Sequence, residues 1–249
     1  MNKLFLGSVA LIALGLGAPA AFAAEMRVPA YTPPPPPAPI YANWSGCYAG
    51  GVAGTTWGRS NRTAVFNAAV PQGAGLPITN DFDLSGFTGG FDVGCNWQVG
   101  TWVFGVEGDW SADNKAGQAF GIAPFNPLHI HETQERWVAT ARGRIGWTWW
   151  DKILVYVTGG GAWTKVDNSA WLTTNPIGAN VEHTFRLSGW VVGAGLEYAL
   201  GYGWSARGEY LYEDFGTNTS VGCINAPQDV STFRLYNHVV RAGLNYKFW

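Results

Sequence analysis

Side chains with the chemistry of a metal or catalytic site are sparse in this sequence. A His-Ile-His-Glu run at residues 129–132 places two imidazoles beside a carboxylate, and such groups can ligate zinc. The run lies in a polar stretch, residues 112–134, that we expect to be a long loop without further His or Cys at ligand spacing. Solvated loop histidines are therefore the better interpretation. His183 and His238 stand apart, and no Ser-His-acid order stands out.

Charged residues form a larger set, and they alternate with apolar residues along extended segments. Along residues 101–111, Glu107 and Asp109 share one face. Trp102 and Val106 lie on the other, as the two-residue period of a strand requires. The charged residues placed on one side in this way are Asp92, Glu107, Asp109, Arg142, Arg144, Glu197, Arg207, Glu209, Arg241 and Lys247. Opposite signs fall on neighbouring strands, with Glu107 and Asp109 beside Arg142 and Arg144, Glu197 beside Arg207, and Glu209 beside Arg241.

The composition excludes several classes of protein. Of 249 residues, 47% are hydrophobic and 13% charged, so a packed structure is expected rather than a disordered chain. Lys and Arg total 15 against 17 Asp and Glu, and the net charge of −2 offers no electrostatic footprint for nucleic acid. Three cysteines are too few for a scaffold built on disulfides.

The N-terminal residues predict export. Lys3 precedes a short apolar run and the small-residue site Ala21-Phe22-Ala23, a pattern typical of a cleaved secretory signal peptide, here residues 1–23. Residues 24–43 are rich in proline and predict a stiff periplasmic tether, which could dock to peptidoglycan or a periplasmic protein. The remainder, residues 44–249, contains no apolar run long enough for a membrane-spanning helix.

The connections between the alternating segments indicate how the strands are arranged. Eight candidate strands, most of about ten residues, fall at residues 44–57, 87–97, 101–111, 137–147, 153–165, 190–200, 204–212 and 238–248. Tight turns near residues 98–100, 149–152 and 201–203 alternate with long polar stretches at residues 59–81, 112–134, 166–185 and 214–233. This pattern predicts an all-β fold, a closed eight-stranded antiparallel up-and-down transmembrane β-barrel, with the turns and termini in the periplasm and the long loops outside.

Tryptophans near the predicted strand ends fit the two aromatic girdles of such a barrel, where the rings lie at the lipid headgroups. They are Trp44, Trp57, Trp97, Trp102, Trp110, Trp137, Trp147, Trp190 and Trp204. The alternative is a soluble eight-stranded barrel of the lipocalin kind, which would need a polar outer face, and the charged face found here would then fill its ligand pocket.

Two interpretations of the inward charges remain open. Eight strands enclose an interior that side chains can fill, so a neutralising network would plug the lumen and fix the strand register. The same charges could instead line a narrow ion path. In the first antiparallel hairpin, Cys47 and Cys95 both lie at the end where the short turns are expected, which allows either a cross-strand disulfide in the periplasm or two independent lipid-facing residues, and leaves Cys223 unpaired.

Seven short blocks carry a resemblance to a known family. They read WSGCYAGG at 44–51, VFGVEGD at 103–109, ARGRIG at 141–146, YVTGG at 156–160, GWVVGAGLEY at 189–198, EYLY at 209–212 and GLNYKF at 243–248. Together they resemble the small alphaproteobacterial outer-membrane β-barrel proteins, the porin-like immunogenic surface antigens. The resemblance implies an eight-stranded outer-membrane barrel that contributes to envelope integrity and surface exposure, with porin activity often named.

The resemblance also assigns roles to the two ends of the barrel domain. The family's closing signal for the barrel-insertion machinery, alternate apolar residues ending in an aromatic, maps onto Val240, Ala242, Leu244, Tyr246 and Phe248, and here Trp249 follows. An aromatic residue is usual where Cys47 and Cys95 stand, and the double departure favours their pairing.

The sequence therefore predicts a non-enzymatic, surface-exposed protein of the Gram-negative outer membrane, with a role in envelope integrity. Its expected partners are outer-membrane lipids, lipopolysaccharide and the insertion machinery, with no nucleic acid, metal or cofactor. The alternatives are a narrow porin-like channel for ions or small solutes and a membrane-embedded lipid or peptide hydrolase, since the geometry of a catalytic triad is spatial rather than sequential.

Overall fold

The computed structural model describes residues 42–67, 70–150, 152–174, 181–223 and 226–249. The predicted signal peptide lies outside these residues, as does the predicted tether except for Ala42 and Asn43. Strands dominate the described chain: β1 (Gly46–Phe66), β2 (Phe82–Val99), β3 (Trp102–Asp113), β4 (Ala116–Phe120), β5 (His129–Trp149), β6 (Ile153–Leu172), β7 (Val181–Gly201), β8 (Trp204–Cys223) and β9 (Ala226–Lys247). One 3-10 turn spans Pro71–Gly73. None of the described residues forms a helix long and apolar enough to cross a membrane.

All strand pairings are antiparallel, and they follow the chain up and down around a ring. The order is β1-β9-β8-β7-β6-β5-β3-β2, and β1 pairs with β2 as well as with β9. The short β4 continues the line of β3, because both pair with β2 on one side and β5 on the other. Asn114 and Lys115 interrupt the line, so the sheet has eight long strands or nine by strict count.

Most strands are longer than the sequence predicted, and several are about twice as long. Eight of the nine were expected, most with about ten residues, whereas β5 and β7 each have 21 and β9 has 22. Most of the stretches predicted as long polar loops are strand extensions; β1 reaches Phe66 and β5 begins at His129. Polar residues were mistaken for a loop signal there, although a ladder continues wherever the neighbouring strand also extends and satisfies its backbone groups.

Along the strands, apolar side chains are exposed and charged side chains are buried, which is the reverse of the pattern in a soluble protein. On β3, Val106 is 55% exposed while its neighbour Glu107 is only 5% exposed. The same alternation runs along β5, where Arg142 and Arg144 are buried and Ile145 is exposed. The outer face of the ring is apolar and the inner face carries the charges, which is opposite to the polarity of a lipocalin-like barrel.

Two apolar clusters accompany the charges on the inner face. The first contains residues from each of the five strands β5 to β9, and four of them, Val166, Val191, Leu211 and Leu235, are completely buried. The second contains Val103, Leu154 and Tyr156 near the tight turns, and it also takes in Trp44. The interior is thus layered, with charged side chains between the apolar groups.

Candidate functional site

The candidate site is the set of buried charged side chains on the inner face, which we call the charge lattice. Its members are Asp92, Glu107, Asp109, Arg142, Arg144, Glu197, Arg207, Glu209 and Arg241, and every one is buried. They come from β2, β3, β5, β7, β8 and β9, and the period of two directs each side chain inward.

Arg142 on β5 holds three carboxylates at once. It forms a short ion pair with Glu107, a second at 2.8 Å with Asp109 and a third at 3.0 Å with Glu209. Glu107 is the register partner of Arg142 on the adjacent strand, as the sequence predicted. Glu209 lies on β8, so Arg142 also reaches across the interior.

Two further arginines complete this layer. Arg207 on β8 forms an ion pair at 2.5 Å with Glu107 and lies 3.4 Å from Asp92. Arg241 on β9 pairs with Glu209 at 2.7 Å and with Asp109 at 2.9 Å. Each of the shared carboxylates, Glu107, Asp109 and Glu209, therefore contacts at least two guanidinium groups.

Arg144 belongs to the layer nearer the tight turns. It donates hydrogen bonds to Asn96 at 2.8 Å and Glu197 at 3.2 Å. Its guanidinium also lies over the rings of Tyr48 and Tyr156, at 4.9 and 5.1 Å from their centroids. Cation–π contacts of this kind add to the ion pairs where water is excluded.

The two tyrosines were missed by the sequence reasoning, which considered only ionised groups. The Tyr48 hydroxyl donates to Glu107 at 2.5 Å, and the Tyr156 hydroxyl donates to Glu209 at 3.1 Å. Glycines leave room for both rings, since a Cβ at Gly94 would lie 2.4 Å from the Tyr48 hydroxyl and one at Gly195 would lie 2.5 Å from the Tyr156 ring. The alternation of Gly with charged residues was the available signal.

Two of the predicted charge neighbours behave differently in the structure. Glu197 and Arg207 are register partners, but Glu197 forms its ion pair with Arg144, while Arg207 pairs with Glu107. Long arginine side chains reach past the adjacent strand when the interior is narrow. Lys247 was predicted inside the network and instead lies at its rim, where its ammonium donates to the Asn43 carbonyl at 2.5 Å.

A second buried polar cluster was not predicted at all. Lys115 is 0% exposed and forms short contacts with Glu135 and Asn237. Asn237 also donates to Glu213 at 3.0 Å, and Asp113 accepts from the Lys115 backbone at 2.8 Å. Lys115 was assigned to a solvated loop, whereas the break between β3 and β4 turns it into the ring.

The predicted girdle tryptophans are on the outer face, with one exception. One level of the outer face lies near the tight turns and contains Trp97, Trp102, Trp147 and Trp204. A second level, which we call the far level, lies farther along the strands and contains Trp57, Trp110, Trp137 and Trp190. Trp44 is only 6% exposed and packs inside the ring, so its assignment to the girdle was wrong. The hydrogen bond from its backbone N–H to Gln98 Oε1 holds the chain there before β1 begins.

Other aromatic residues also lie on the outer face at the far level of tryptophans. Trp163 is exposed on β6. His238 on β9 stacks against Trp57 with ring centroids 5.9 Å apart and shares a hydrogen bond of 2.6 Å with the Tyr210 hydroxyl. His238 therefore belongs to an outward-facing aromatic group.

Cys47 and Cys95 form a disulfide in the structure, with their Cα atoms 4.0 Å apart. They are direct register partners in the β1–β2 ladder. The side chain of Cys223 lies outside the described residues, and so does that of His183.

The alternate residues assigned to the closing signal share the outer face of β9. Val240, Leu244 and Tyr246 are exposed large side chains, as is Phe248 just beyond the strand, and Ala242 is exposed with them. The terminal carbonyl of Trp249 accepts a hydrogen bond of 2.9 Å from the Cys47 backbone, which ties the chain end to β1.

The two histidines of the 129–132 run do not lie in a solvated loop. Both are in β5; His129 is exposed but His131 is buried, and its Nδ1 has no hydrogen-bond partner among the described residues. Burial lowers the pKa of His131 to about 3, and the charges of Arg62 and His129 act in the same direction. Within the described ranges, no three His, Cys, Asp or Glu side chains cluster in a way that could hold a metal ion.

Known proteins are similar to this chain in sequence. The family described as the outer membrane protein beta-barrel domain matches residues 9–248. The 31 kDa outer-membrane immunogenic protein of Brucella melitensis is 31% identical over 255 residues, covering 100% of both chains. The 25 kDa outer-membrane immunogenic protein of Brucella abortus is 28% identical over 225 residues, covering 86% of each.

Among solved structures, the outer membrane protein OprG from Pseudomonas aeruginosa has a similar fold, with a TM-score of 0.54 at 12% identity over 84% of this chain and 100% of that one. The inverted polarity, the antiparallel ladder and these relatives agree. The chain therefore belongs to the outer membrane protein beta-barrel domain family and is an outer-membrane protein of a Gram-negative bacterium.

Proposed function

We propose that the ring of strands is a closed eight-stranded barrel with a structural, non-enzymatic role in the outer membrane, supporting envelope integrity and presenting its long strand extensions at the cell surface. The charge lattice plugs the lumen. The observation that carries this proposal is the ion pair between Arg207 and Glu107, because it joins strands on opposite sides of the ring. Side chains that meet in the middle leave no wide aqueous path.

The relatives support a role at the surface, since their names describe outer-membrane immunogenic proteins. Strand extensions such as the outer part of β1 and β5 continue beyond the far level of tryptophans. In a barrel inserted with its tight turns in the periplasm, these extensions face the outside of the cell.

Single-channel recording on the purified, refolded mature chain in planar bilayers tests the plug. The expected result is an absence of large, long-lived openings in the wild type. Arg142→Ala removes one buried guanidinium partner from each of three carboxylates, so it should weaken the heat-modifiable folded form far more than it changes conductance. Arg59→Ala, which removes an exposed pair with Asp83, is the matched control. Unchanged heat-modifiability together with a much larger current in Arg142→Ala would reverse the proposal.

A narrow porin-like path for ions or small solutes is the second candidate, and two observations favour it. A cavity of about 210 Å³ lies near the tight turns, and its lining residues Tyr48, Asn96 and Glu197 all contact Arg144. Further in, neither carboxylate oxygen of Asp92 has a hydrogen-bond partner among the described residues. Small cation-selective currents that disappear in Asp92→Asn, with the folded form intact, would support this path over a sealed lumen.

The outward residues at the end of β9 are proposed to serve the insertion machinery. The alternate residues Val240, Ala242, Leu244 and Tyr246 form an apolar row that ends in Phe248, and Trp249 follows it. Assembly kinetics separate the two terminal aromatics: if Phe248 is the recognised residue, Phe248→Ala slows insertion and Trp249→Ala does not. The reverse pattern assigns recognition to Trp249.

A further inference from the structure

Three basic side chains gather on the outer face of three adjacent strands, and we call them the basic patch: Arg136 on β5, Lys165 on β6 and Arg186 on β7. Each alternates with an inward neighbour; Val166 beside Lys165 and Leu187 beside Arg186 are buried. Arg136 is the extra residue of a β-bulge between Glu135 and Trp137, and this bulge turns it outward.

The basic patch carries more positive charge than the protein neutralises. Lys165 and Arg186 are direct register partners, an arrangement of like charges that is unfavourable unless an anion is shared. One carboxylate, Asp167, lies among them, so three positive charges and one negative charge leave a surplus of 3 − 1 = +2. No other ion pair in the described part of the chain involves Lys165, and none involves Arg186.

Asp167 is already engaged by other groups. It accepts hydrogen bonds of 2.7 Å from Arg136 and 2.7 Å from Thr184, whereas the Lys165 ammonium is 3.9 Å away. Burial raises the pKa of the Asp167 carboxyl, but these two hydrogen bonds and the nearby Lys165 outweigh burial and hold the pKa below its ordinary value. An ionised Asp167 therefore neutralises Arg136 and leaves Lys165 and Arg186 to a ligand.

Other outward arginines at the same end of the ring are balanced one to one. Arg59 pairs with Asp83 at 2.9 Å, and Arg234 pairs with Asp214 at 3.0 Å. The surplus at the basic patch is thus a local feature of β5 to β7.

The basic patch borders the far level of tryptophans. Arg136, Lys165 and Arg186 lie one, two and four residues beyond the tryptophan of their own strand, which is Trp137, Trp163 and Trp190 respectively. At about 3.3 Å per residue, the cations stand within roughly 13 Å of the indoles along the strand. On β6, the next outer-face residue beyond Asp167, farther from the tryptophans, is Ser169, and its register partner on β5 is Glu132. An acidic residue therefore bounds the basic patch on the side away from the tryptophans.

We propose that the basic patch binds the phosphate-bearing headgroup of an anionic lipid in the outer leaflet, with the acyl chains lying over the three tryptophans. The site rests on the proposed insertion of the barrel, because that orientation brings the patch to the headgroup level. Guanidinium and ammonium donors suit phosphate oxygens, and apolar outer-face residues below suit acyl chains.

The test uses the refolded mature chain in neutral detergent micelles, with lipid retention measured by native mass spectrometry. The probes are diphosphoryl lipid A, zwitterionic phosphatidylcholine and inorganic phosphate. We expect retention of diphosphoryl lipid A over phosphatidylcholine, weakened by salt, and a loss of about tenfold in affinity in the double variant Lys165→Gln with Arg186→Gln. Arg59→Gln, which removes an arginine already neutralised by Asp83, is the matched control and should retain lipid as the wild type does.

Each alternative outcome bears on the proposal. Equal retention of lipid A and phosphatidylcholine, or an equal loss in Arg59→Gln, overturns it. Binding of inorganic phosphate as tight as that of lipid A also overturns it, since the acyl chains would then contribute nothing. The heat-modifiable folded form is recorded for every variant, and its absence in the wild type would count against the barrel itself rather than against the lipid site.

Discussion

Arg207 donates a hydrogen bond of 2.5 Å to Glu107 although their strands, β8 and β3, are as far apart as the ring allows. Three long strands separate them in one direction (β7, β6 and β5) and three in the other (β9, β1 and β2). A contact between opposite walls fixes both the width of the interior and the relative register of its halves. The charge lattice is therefore a property of the whole ring and not of any one hairpin.

The first prediction concerns this contact. Arg207→Met removes the ion pairs that Arg207 forms with Glu107 and Asp92. It should therefore lower the free energy of unfolding by about 3–5 kcal/mol, the usual cost of breaking a buried pair. The double variant with Glu107→Gln should be more stable than the sum of the two single changes implies. Urea unfolding in lipid vesicles, followed by tryptophan fluorescence, measures all three. Strictly additive effects would mean that the two groups are not coupled.

The second prediction concerns the polarity of the outer face. Val106 lies midway between Trp102 and Trp110 on β3, a position that corresponds to the bilayer midplane in the proposed membrane span. Val106→Arg should destabilise the inserted protein by about 2–4 kcal/mol, and Val99→Arg at the tight-turn rim by no more than about 1 kcal/mol. Vesicle unfolding of the two variants gives the comparison. A similar cost at both positions would contradict the proposed membrane span.

Alternation was sufficient to predict which side of each strand is charged. It assigns Glu107 inward and Val106 outward with no knowledge of the fold, because a strand has a period of two and both residues follow it. It also predicts adjacent partners such as Glu209 and Arg241. It cannot predict contacts across the ring, since these depend on the diameter and on side-chain length; the pairing of Arg207 with Glu107 instead of Glu197 is the example.

Strand ends and local reversals were harder to predict. Lys115 stands in a polar stretch typical of a loop, yet the break between β3 and β4 directs it inward onto Glu135. Trp44 is of the residue type expected in a girdle, but it precedes β1. The hydrogen bond from its backbone N–H to the Gln98 side chain turns it into the ring. In both cases one tertiary contact outweighs the local pattern.

The third prediction concerns the Cys47–Cys95 disulfide, which closes a loop of 48 residues at the tight-turn end of the first hairpin. A cross-link of this kind restricts the unfolded chain and is typically worth about 2–4 kcal/mol. Paired replacement, Cys47→Ala with Cys95→Ala, should lower the urea midpoint and leave the heat-modifiable form intact. Dithiothreitol should shift the wild type towards the variant and leave the variant unchanged. Free thiols at both positions in non-reducing peptide mapping of the native protein would contradict the pairing.

The last prediction concerns acid sensitivity of the strand extensions. His131 has a pKa of about 3 in the folded chain, below the ordinary histidine value of about 6.5, because burial and the charge of Arg62 oppose protonation. The unfolded chain therefore takes up the proton first, and folding is penalised as the pH falls below about 6.5. At pH 5 the cost is roughly 2 kcal/mol, confined to the β4–β5 extension if that region opens by itself.

Hydrogen exchange of the refolded protein at pH 7 and pH 5, corrected for the intrinsic rate, measures the effect. Protection around β4 and the first residues of β5 should fall at pH 5, while the backbone of β5 near Arg142 should keep its protection because the charge lattice holds it. His131→Phe fills the buried site with a group that does not titrate, so the local acid response should disappear. His129→Gln, at the exposed neighbouring position, should leave it in place. If His131→Phe retained the full response, another group in the extension would have to be the one that takes up the proton.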